Sequence, residues 1–452
     1  MQQNKLKQFR HKLYQNLNKG SDSILDLMDA LSCQTNCTAP VQLSLQPQFR
    51  RQYPSVFSAI KNLALSNELL RQLTASTLPG LADGQFHQLA VDVTACPRPE
   101  AYCLSDRSYV YAGRGRHVVR GHQYSVVVYL PQVLAEEKTW ALPVAVDRAS
   151  SEEDKELLGV EQLEAILADE ALLPTGELVI LTGDTYYSKP EVLYRLAQHP
   201  QLVTLVRARA DRVFYRQPTG HDRRRKYGDR FVLHDESSWG KPDEVWTSAD
   251  TTQRGEPRLV EVQAWHELLM CGKRKPEPLR MYQCPFTLAR VFVTKVDGTP
   301  AYRRPLWLIA MGRRRHELSL AVLYRSYNDR FREEHFFRFV KQRLLLTQYQ
   351  TVHAQREEQW WRLVFLAYLQ LWVARPLAEA HPNPWERYQP TARTRARSPT
   401  MVQRDMGRLL ALLDPIATPV KPRGKAPGRP SGYRPKRRQR QPVVRKRSKK
   451  QR

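Results

Sequence analysis

The stretch Leu89-Ala90-Val91-Asp92-Val93 is an apolar run that is interrupted by a single acid. Its length and its valines predict a short, buried β-strand. An acid inside such a strand is costly unless it is paired or binds a metal ion. Asp92 is therefore a candidate for a chemical role.

The segments around this stretch alternate between strand and helix patterns. Further strands are predicted at 124–130, 140–146, 177–182 and 202–206, and helices at 152–173 and 188–196. This order is typical of a mixed α/β sheet with right-handed crossovers. The strand at 177–182 runs into Gly183-Asp184, so a second acid ends a strand. Strand-end carboxylates in an open α/β sheet point into the crevice where ligands bind.

A third acid lies in Tyr-Asn-Asp-Arg-Phe-Arg-Glu-Glu-His-Phe-Phe-Arg-Phe-Val-Lys, residues 327–341, which reads as one helix. Spacings of 3, 4 and 7 residues put a phenol, a carboxylate and two cations within an arc of roughly 60°. These side chains are Tyr327, Arg330, Glu334 and Lys341. Such a face suits a carboxylate that binds a metal while its neighbours bind phosphates. An ordinary solvated helix face has the same spacing, so both interpretations stay open.

Composition limits the class of protein. The 452 residues predict more than one domain, and 41% hydrophobic residues are enough for folded cores. The net charge is +27, and residues 419–452 contain 15 Lys or Arg and no acid, so the rest still carries +12. This excess predicts a polyanionic partner, usually nucleic acid. Six cysteines in so long a chain exclude a disulfide scaffold, and the N-terminus lacks a secretory signal.

The pattern divides the chain into six segments. Residues 1–80 read as a helical, basic, DNA-binding domain, with Arg10, Arg50 and Arg51 among its cations. Residues 85–208 contain the first part of the sheet, and 209–305 form a β-rich insertion. A last strand and the helix with Glu334 occupy 306–375, and more helix follows over 376–414. The tail, 415–452, lacks apolar periodicity and is expected to be disordered.

Together, Asp92, Asp184 and Glu334 are three carboxylates that can converge. Two metal ions about 4 Å apart at such a site would activate an attacking oxygen and stabilise a leaving one in phosphodiester cleavage. All-oxygen ligation favours Mg²⁺, with Mn²⁺ as a substitute.

The order Asp92, Asp184, β insertion, Glu334 resembles the DDE transposases of bacterial insertion sequences, whose catalytic domain is RNase H-like. The spacing Tyr327-x2-Arg330-x3-Glu334-x6-Lys341 resembles the YREK signature of their cut-and-paste group. The resemblance covers roughly residues 85–375. It implies an α/β, RNase H-like fold with a β-rich insertion, and a cytoplasmic, nucleoid-associated homodimer that acts on double-stranded DNA at transposon ends and targets.

The resemblance also implies residue roles. Asp92, Asp184 and Glu334 would hold two Mg²⁺ ions, and Tyr327, Arg330 and Lys341 would contact phosphates. Further DNA contacts are implied for Trp307, Arg207, Arg209 and Arg212. Trp307 resembles the tryptophan that stacks a flipped base when these enzymes make a DNA hairpin, although a strand Trp is also common in cores. The three arginines resemble a DNA-facing segment, although surface Arg is common.

Several alternatives stay open from the sequence. Asp147 is a rival first acid, although Asp92 is preferred because it lies on the first strand. His122 could be a proton shuttle or make a surface hydrogen bond. For the whole chain, the alternatives to a transposase are a non-catalytic DNA-binding protein and an RNase H-like nuclease without strand transfer.

Overall fold

The computed structural model describes residues 2–82, 84–112, 117–132, 140–219, 225–251, 255–272, 279–302, 304–388, 397–422 and 428–445. The helices are α1 (Gln2–Gln15), α2 (Ser21–Cys33), α3 (Pro54–Asn62), α4 (Asn67–Ala75), α5 (Lys155–Leu167), α6 (Pro190–Leu196), α7 (Leu320–Asp329), α8 (Phe331–Arg343), α9 (Ala354–Ala380) and α10 (Pro399–Leu410).

Most strands belong to one large mixed sheet. The strands are β1 (His87–Pro97), β2 (Ser108–Ala112), β3 (His117–Tyr129), β4 (Leu142–Ala149), β5 (Val179–Gly183), β6 (Leu202–Arg207), β7 (Val213–Tyr215), β8 (Arg230–Val232), β9 (Glu244–Thr251), β10 (Pro257–Leu268), β11 (Phe286–Lys295) and β12 (Leu306–Met311). β7 and β8 form a separate pair.

The order β4-β3-β1-β5-β6 forms the first half of the large sheet, and β2 also pairs with the outer edge of β3. β1 and β3 are antiparallel, whereas β1, β5 and β6 are parallel and are joined through α5 and α6. The prediction of a mixed α/β sheet is confirmed, and this strand order is consistent with an RNase H-like domain.

Three strands of the 209–305 segment, β9, β10 and β11, extend the same sheet. β12 pairs antiparallel with β6, and β11, β10 and β9 follow in order from β12. α7 packs on one face of this extension, with Leu320, Leu323 and Tyr327 buried against strand residues such as Val260 and Leu308. β9, β10 and β11 of the insertion are therefore continuous with the large sheet, whereas β7 and β8 are not.

Helix α9 is the central helix of the helical layer that packs against the sheet at β4. It is apolar on nearly all sides, which is typical of a helix that is buried on all sides. By length and composition it could cross a membrane, but 78% of its most apolar window is buried inside the protein. Helices α1, α2 and α10 and strand β4 contact it, so the N-terminal helices share one core with the sheet.

A buried polar network fixes α9 to the sheet. Glu357 of α9 is fully buried and accepts hydrogen bonds from Arg98 Nε (2.6 Å) and the Tyr124 hydroxyl (2.7 Å). His122 Nδ1 lies 2.8 Å from the same carboxylate, and its Nε2 lies 2.9 Å from the Ser105 carbonyl oxygen. The surface hydrogen bond predicted for His122 is therefore wrong, because the ring is buried between β3 and α9.

Residues 327–341 form two helices and not one. α7 ends at Asp329 and α8 starts at Phe331, with Arg330 between them. The N–H groups of Arg330 and Glu333 bond to the carbonyls three residues earlier, so the chain tightens there into a 3₁₀-like turn. No glycine or proline marks this junction in the sequence.

The cations expected on a basic N-terminal surface are largely neutralised. Arg10 is buried and bonds to both carboxylate oxygens of Asp29 and to Gln370 of α9. Arg50 and Arg51 both pair with Asp26. Arg10 is therefore not part of a basic surface, whereas Arg50 stays exposed and Arg51 partly exposed beside Asp26.

Part of the C-terminal tail contacts the sheet edge, contrary to the expectation of disorder. The N–H of Gln441 donates to the Tyr102 carbonyl (2.8 Å), and the N–H of Val444 donates to the Arg107 carbonyl (2.7 Å). Val444 thereby makes a parallel bridge to Ser108 of β2. Backbone pairing to an open strand edge needs no apolar periodicity, so the sequence pattern did not predict it. Residues 423–427 and 446–452 of the tail lie outside the described residues.

The buried network predicts a large loss of stability when its cation is removed. Arg98→Met should lower the free energy of unfolding by about 3–5 kcal/mol, because Glu357 would remain buried beside an uncharged partner. Denaturant unfolding measures this change. Arg225→Met, at the exposed pair with Asp229, should change it by less than about 0.5 kcal/mol. Equal losses in the two variants would contradict the role given to the network.

Candidate active site

Asp92 and Asp184 come from neighbouring parallel strands. The β1–β5 register pairs Val91 with Gly183, so the two acids are the next residues on each chain. Asp92 Oδ1 accepts the N–H of Val93 (2.7 Å), and Asp184 Oδ1 accepts the N–H of Tyr186 (2.8 Å). Both side chains are partly buried. Strand pairing alone therefore brings the two predicted acids side by side.

Helix α8 brings further acids to this pair. The helix is anchored by Phe336 and Val340, which are fully buried, and by Arg332, whose Nη2 donates to the carbonyls of Trp140 (2.6 Å) and Pro131 (2.9 Å). Glu334 lies in the first turn of the helix, with about half of its side chain exposed. Its Oε1 lies 3.5 Å from Nη2 of Arg330.

The charges of these residues act on one another. Burial raises the pKa of Asp92 to about 6; the negative charges of Asp184 and Glu334 act in the same direction, and Arg330 opposes them. Burial also raises the pKa of Asp184, against the hydrogen bond from Tyr186 and the charge of Arg330. Asp92, Asp184 and Glu334 therefore form one electrostatically coupled site, with Arg330 as its nearest described cation.

Glu333 is an acid of this site that the sequence analysis missed. It is fully buried, and neither of its carboxylate oxygens has a hydrogen-bond partner. Burial raises the pKa of Glu333 well above its usual range, and the charge of Asp92 raises it further. Its spacing of 3, 4 and 7 residues from Phe336, Phe337 and Val340 was the available signal, since it places Glu333 on the buried face of the helix.

Tyr327 and Arg330 lie together at the junction of α7 and α8. Both are buried, and the Arg330 guanidinium carbon lies 5.7 Å from the centre of the Tyr327 ring. Burial raises the pKa of Tyr327, and the charges of Arg330, Arg207 and Asp184 act on its hydroxyl. The pair therefore lies close enough to Asp184 for their charges to interact.

Lys341 reaches the same face of the sheet. Its Nζ donates to Thr94 Oγ1 (2.5 Å), and Thr94 is two residues from Asp92 on β1, where alternate side chains share a face. Burial lowers the pKa of Lys341, while the charge of Asp92 raises it. All four residues of the 327–341 pattern therefore lie around the two aspartates.

Trp307, Arg207 and Arg209 line a cavity of about 630 Å³, together with Thr185, the neighbour of Asp184. Both arginines are exposed. Trp307 is only 3% exposed, and its ring lies 5.1 Å from that of Trp239 and 5.8 Å from that of Trp265. Trp307 is therefore mainly a core residue, as the sequence alternative allowed, although it also contributes to the lining of the cavity. Arg212 lies nearby, and its Nη2 donates to the Ser188 carbonyl (3.4 Å).

The donor set of the site fits a hard divalent cation. It consists of carboxylate oxygens, which Mg²⁺ and Mn²⁺ prefer, and it includes unpartnered, buried ones on Glu333. Among the described residues, no group of three His, Cys, Asp or Glu side chains is already close enough to share one ion. The acids are therefore neighbours that repel one another, and not a closed cage.

The family described as DDE superfamily endonuclease matches residues 12–267. The match covers more than half of the chain and includes Asp92 and Asp184. The chain belongs to the DDE superfamily of endonucleases. It is therefore a metal-dependent nuclease with a DNA substrate. No curated protein matches this DDE endonuclease.

The family match corrects the expected extent of the resemblance. It begins within α1 and so includes the N-terminal helices, whereas the resemblance seen in the sequence began at about residue 85. It ends in β10, before α8. The match therefore does not test which glutamate of α8 serves the DDE endonuclease.

Asp147, the rival first acid, lies elsewhere in the DDE endonuclease. It is on β4, which β3 separates from β1. Its carboxylate accepts hydrogen bonds from Asn67 (2.7 Å), Gln162 (2.8 Å) and Arg362 (2.9 Å). The structure therefore does not bring Asp147 together with Asp184 and Glu334.

The raised pKa of Asp92 predicts a pH dependence of the metal-free DDE endonuclease. Its folded pKa of about 6 exceeds the ordinary value of 3.8, so between these values the folded protein binds more protons than the unfolded one. The contribution of Asp92 to stability should therefore fall as pH rises from 4 to 6. Asp92→Asn should remove this part of the slope in urea unfolding with a chelator present. If the difference in unfolding free energy between the wild type and Asp92→Asn does not change between pH 4 and pH 6, the predicted role of Asp92 is wrong.

Proposed function

We propose that this DDE endonuclease is the transposase of a bacterial insertion sequence and moves its element by cut-and-paste. The observation that supports the proposal is that Asp184, after β5, and Glu334, on α8, act electrostatically on Asp92 of β1, with Tyr327, Arg330 and Lys341 beside them. The surrounding residues have the spacing of the YREK signature. A nuclease that acts on phosphodiesters needs both features, since acids bind the metals and cations bind the phosphates.

The reaction begins with hydrolysis at the element's end. Two Mg²⁺ ions (or Mn²⁺ in their place), held by Asp92, Asp184 and Glu334, would supply activation of the attacking oxygen and stabilisation of the leaving one. Water attacks phosphorus, the bond to the 3′ oxygen breaks, and a 3′-OH and a 5′-phosphate result. Arg330 and Lys341 bind the phosphates beside the cut, and the ring of Tyr327 holds Arg330 in place.

Later steps use the new 3′-OH as the nucleophile. Its attack on the opposite strand forms a hairpin at the element's end and releases the flanking DNA. Water then opens the hairpin, and the regenerated 3′-OH attacks target DNA. Trp307 and the cavity beside it would receive a base that is turned out of the hairpin, and Arg207 and Arg209 at the cavity's rim would bind the adjoining phosphates. Because Trp307 is nearly buried, the surrounding ring cluster would have to open for stacking.

The proposal includes a homodimer, because two element ends must be held together, and a cytoplasmic location at the nucleoid. The N-terminal helices and the basic tail would add contacts to DNA outside the cleavage site. Fifteen tail cations support sequence-independent binding to the phosphate backbone.

The proposal predicts a loss of cleavage when an acid is neutralised. Glu334→Gln and Asp92→Asn should each lower cleavage of supercoiled DNA that carries the element's ends by on the order of 10³-fold, because metal binding supplies several kcal/mol of transition-state stabilisation. DNA binding should change little. Glu161→Gln, at a mostly exposed glutamate of α5, serves as the control and should cleave normally.

The products separate the alternatives. A hairpin on a denaturing gel, followed by joining to target DNA, is expected for a transposase. Nicks without hairpin or joining would indicate a nuclease without strand transfer. Binding without cleavage by the wild-type chain in Mg²⁺ would indicate a non-catalytic DNA-binding protein. Full cleavage by Glu334→Gln would show that the assignment of Glu334 is wrong.

The tail predicts a salt-dependent term in DNA affinity. A chain that ends at residue 414 should bind DNA more weakly at low salt and show a shallower dependence of log K on log salt. Each lost phosphate contact should reduce the slope by about 0.9. Fluorescence anisotropy at several salt concentrations measures both quantities. An unchanged slope would contradict the proposed tail contacts.

A further inference from the structure

We propose that Glu333 is a fourth carboxylate of the active site and binds a divalent cation together with Asp92. The inference rests on the proposed function, because it assigns one more ligand to the same metal-dependent centre. It goes beyond the family resemblance, which assigns the metal only to Asp92, Asp184 and Glu334.

The first argument is the state of the Glu333 side chain. It is fully buried, and both of its oxygens lack a hydrogen-bond partner. A buried, unpaired carboxylate is among the costliest arrangements in a protein interior. A fold keeps such a group at a functional position when something absent from the free chain binds it.

Glu333 differs from two other buried glutamates, whose carboxylates have hydrogen-bond or ion-pair partners. Glu357 is equally buried, but Arg98, Tyr124 and His122 surround its carboxylate. Glu156 is also buried, and Lys189 Nζ lies 2.8 Å from its Oε2. The chain therefore supplies partners where a buried glutamate is structural, and Glu333 has none.

The surroundings of Glu333 identify the missing partner as a cation. The charges that act on Glu333 are those of Asp92, Asp184 and Glu334, which repel it, and of Arg330, which attracts it. Arg330 is shared between several partners. Its Nη2 lies 3.5 Å from Glu334 Oε1, and its guanidinium group lies over the Tyr327 ring. Arg330 therefore acts on several carboxylates at once and is not a dedicated partner of Glu333.

Charge balance then indicates divalent ions. Four carboxylates lie in this site, and the described cations that act on them include Arg330 and Lys341. A divalent ion bound by Glu333 and Asp92 would add positive charge that offsets the remaining repulsion between carboxylates.

The test compares Mn²⁺ binding by the full-length chain, measured by calorimetry, with unfolding temperatures in a chelator. Glu333→Gln should weaken Mn²⁺ binding at least about tenfold. It should also raise the unfolding temperature of the metal-free protein, because an unpaired buried acid is removed. Glu333→Leu fits the buried site without polar atoms and gives the same readouts if the amide variant folds poorly.

Two further variants calibrate the result. Glu358→Gln alters a partly buried glutamate of α9 that pairs with Arg148, so it should leave Mn²⁺ affinity unchanged and should not stabilise the protein. Asp92→Asn should weaken Mn²⁺ binding whether or not Glu333 participates.

The outcomes distinguish the two proposals. Unchanged Mn²⁺ affinity in both Glu333 variants, with a loss in Asp92→Asn, would mean that Glu333 is a neutral core residue and would overturn this inference alone. If Asp92→Asn also binds Mn²⁺ normally, the metal centre itself is misplaced and both proposals fail. Weaker binding with higher metal-free stability in the Glu333 variants supports the inference.

Discussion

The parallel pairing of β1 with β5 is the constraint on which the rest of the structure depends. Two parallel neighbours cannot be joined by a tight turn, so the chain between them must cross the sheet through α5. The same pairing sets Asp92 beside Asp184, since Val91 and Gly183 are paired in the register. Hydrogen bonds of the backbone therefore overcome the repulsion of two acids, and the repulsion remains available for a cation to relieve.

The sequence predicted those parts of the site that depend on local pattern. An acid within an apolar strand and another at a strand end are visible in Leu89–Val93 and around Gly183, and the structure has both on adjacent strands. The helical spacing that grouped Tyr327 with Lys341 still groups them, although the helix is broken at Arg330. The break was not predictable, because tertiary packing of α7 and α8 imposes it and no residue type marks it.

Other features depend on contacts between distant segments and could not be derived from the sequence. The pairing of β12 with β6 makes the insertion an extension of the catalytic sheet, and no local signal encodes that register. Arg10, Arg50 and Arg51 looked like surface cations, since the acids that neutralise them lie on another helix. Glu333 is different, because its spacing from Phe336, Phe337 and Val340 was visible and was passed over in favour of its exposed neighbour.

The shared core of α9 and the N-terminal helices has a consequence for how the chain is made. Arg10 and its partner Gln370 are 360 residues apart in the chain. At ordinary translation rates of 5–20 residues per second, the first helices wait about 20–70 s on the ribosome before their partner exists. During that time the faces of α1 and α2 that pack against α9 in the folded protein lack this partner. The core between the N-terminal helices and α9 therefore forms only after most of the chain has been made. The supply of chaperones that bind nascent helices should then determine what fraction of the protein folds.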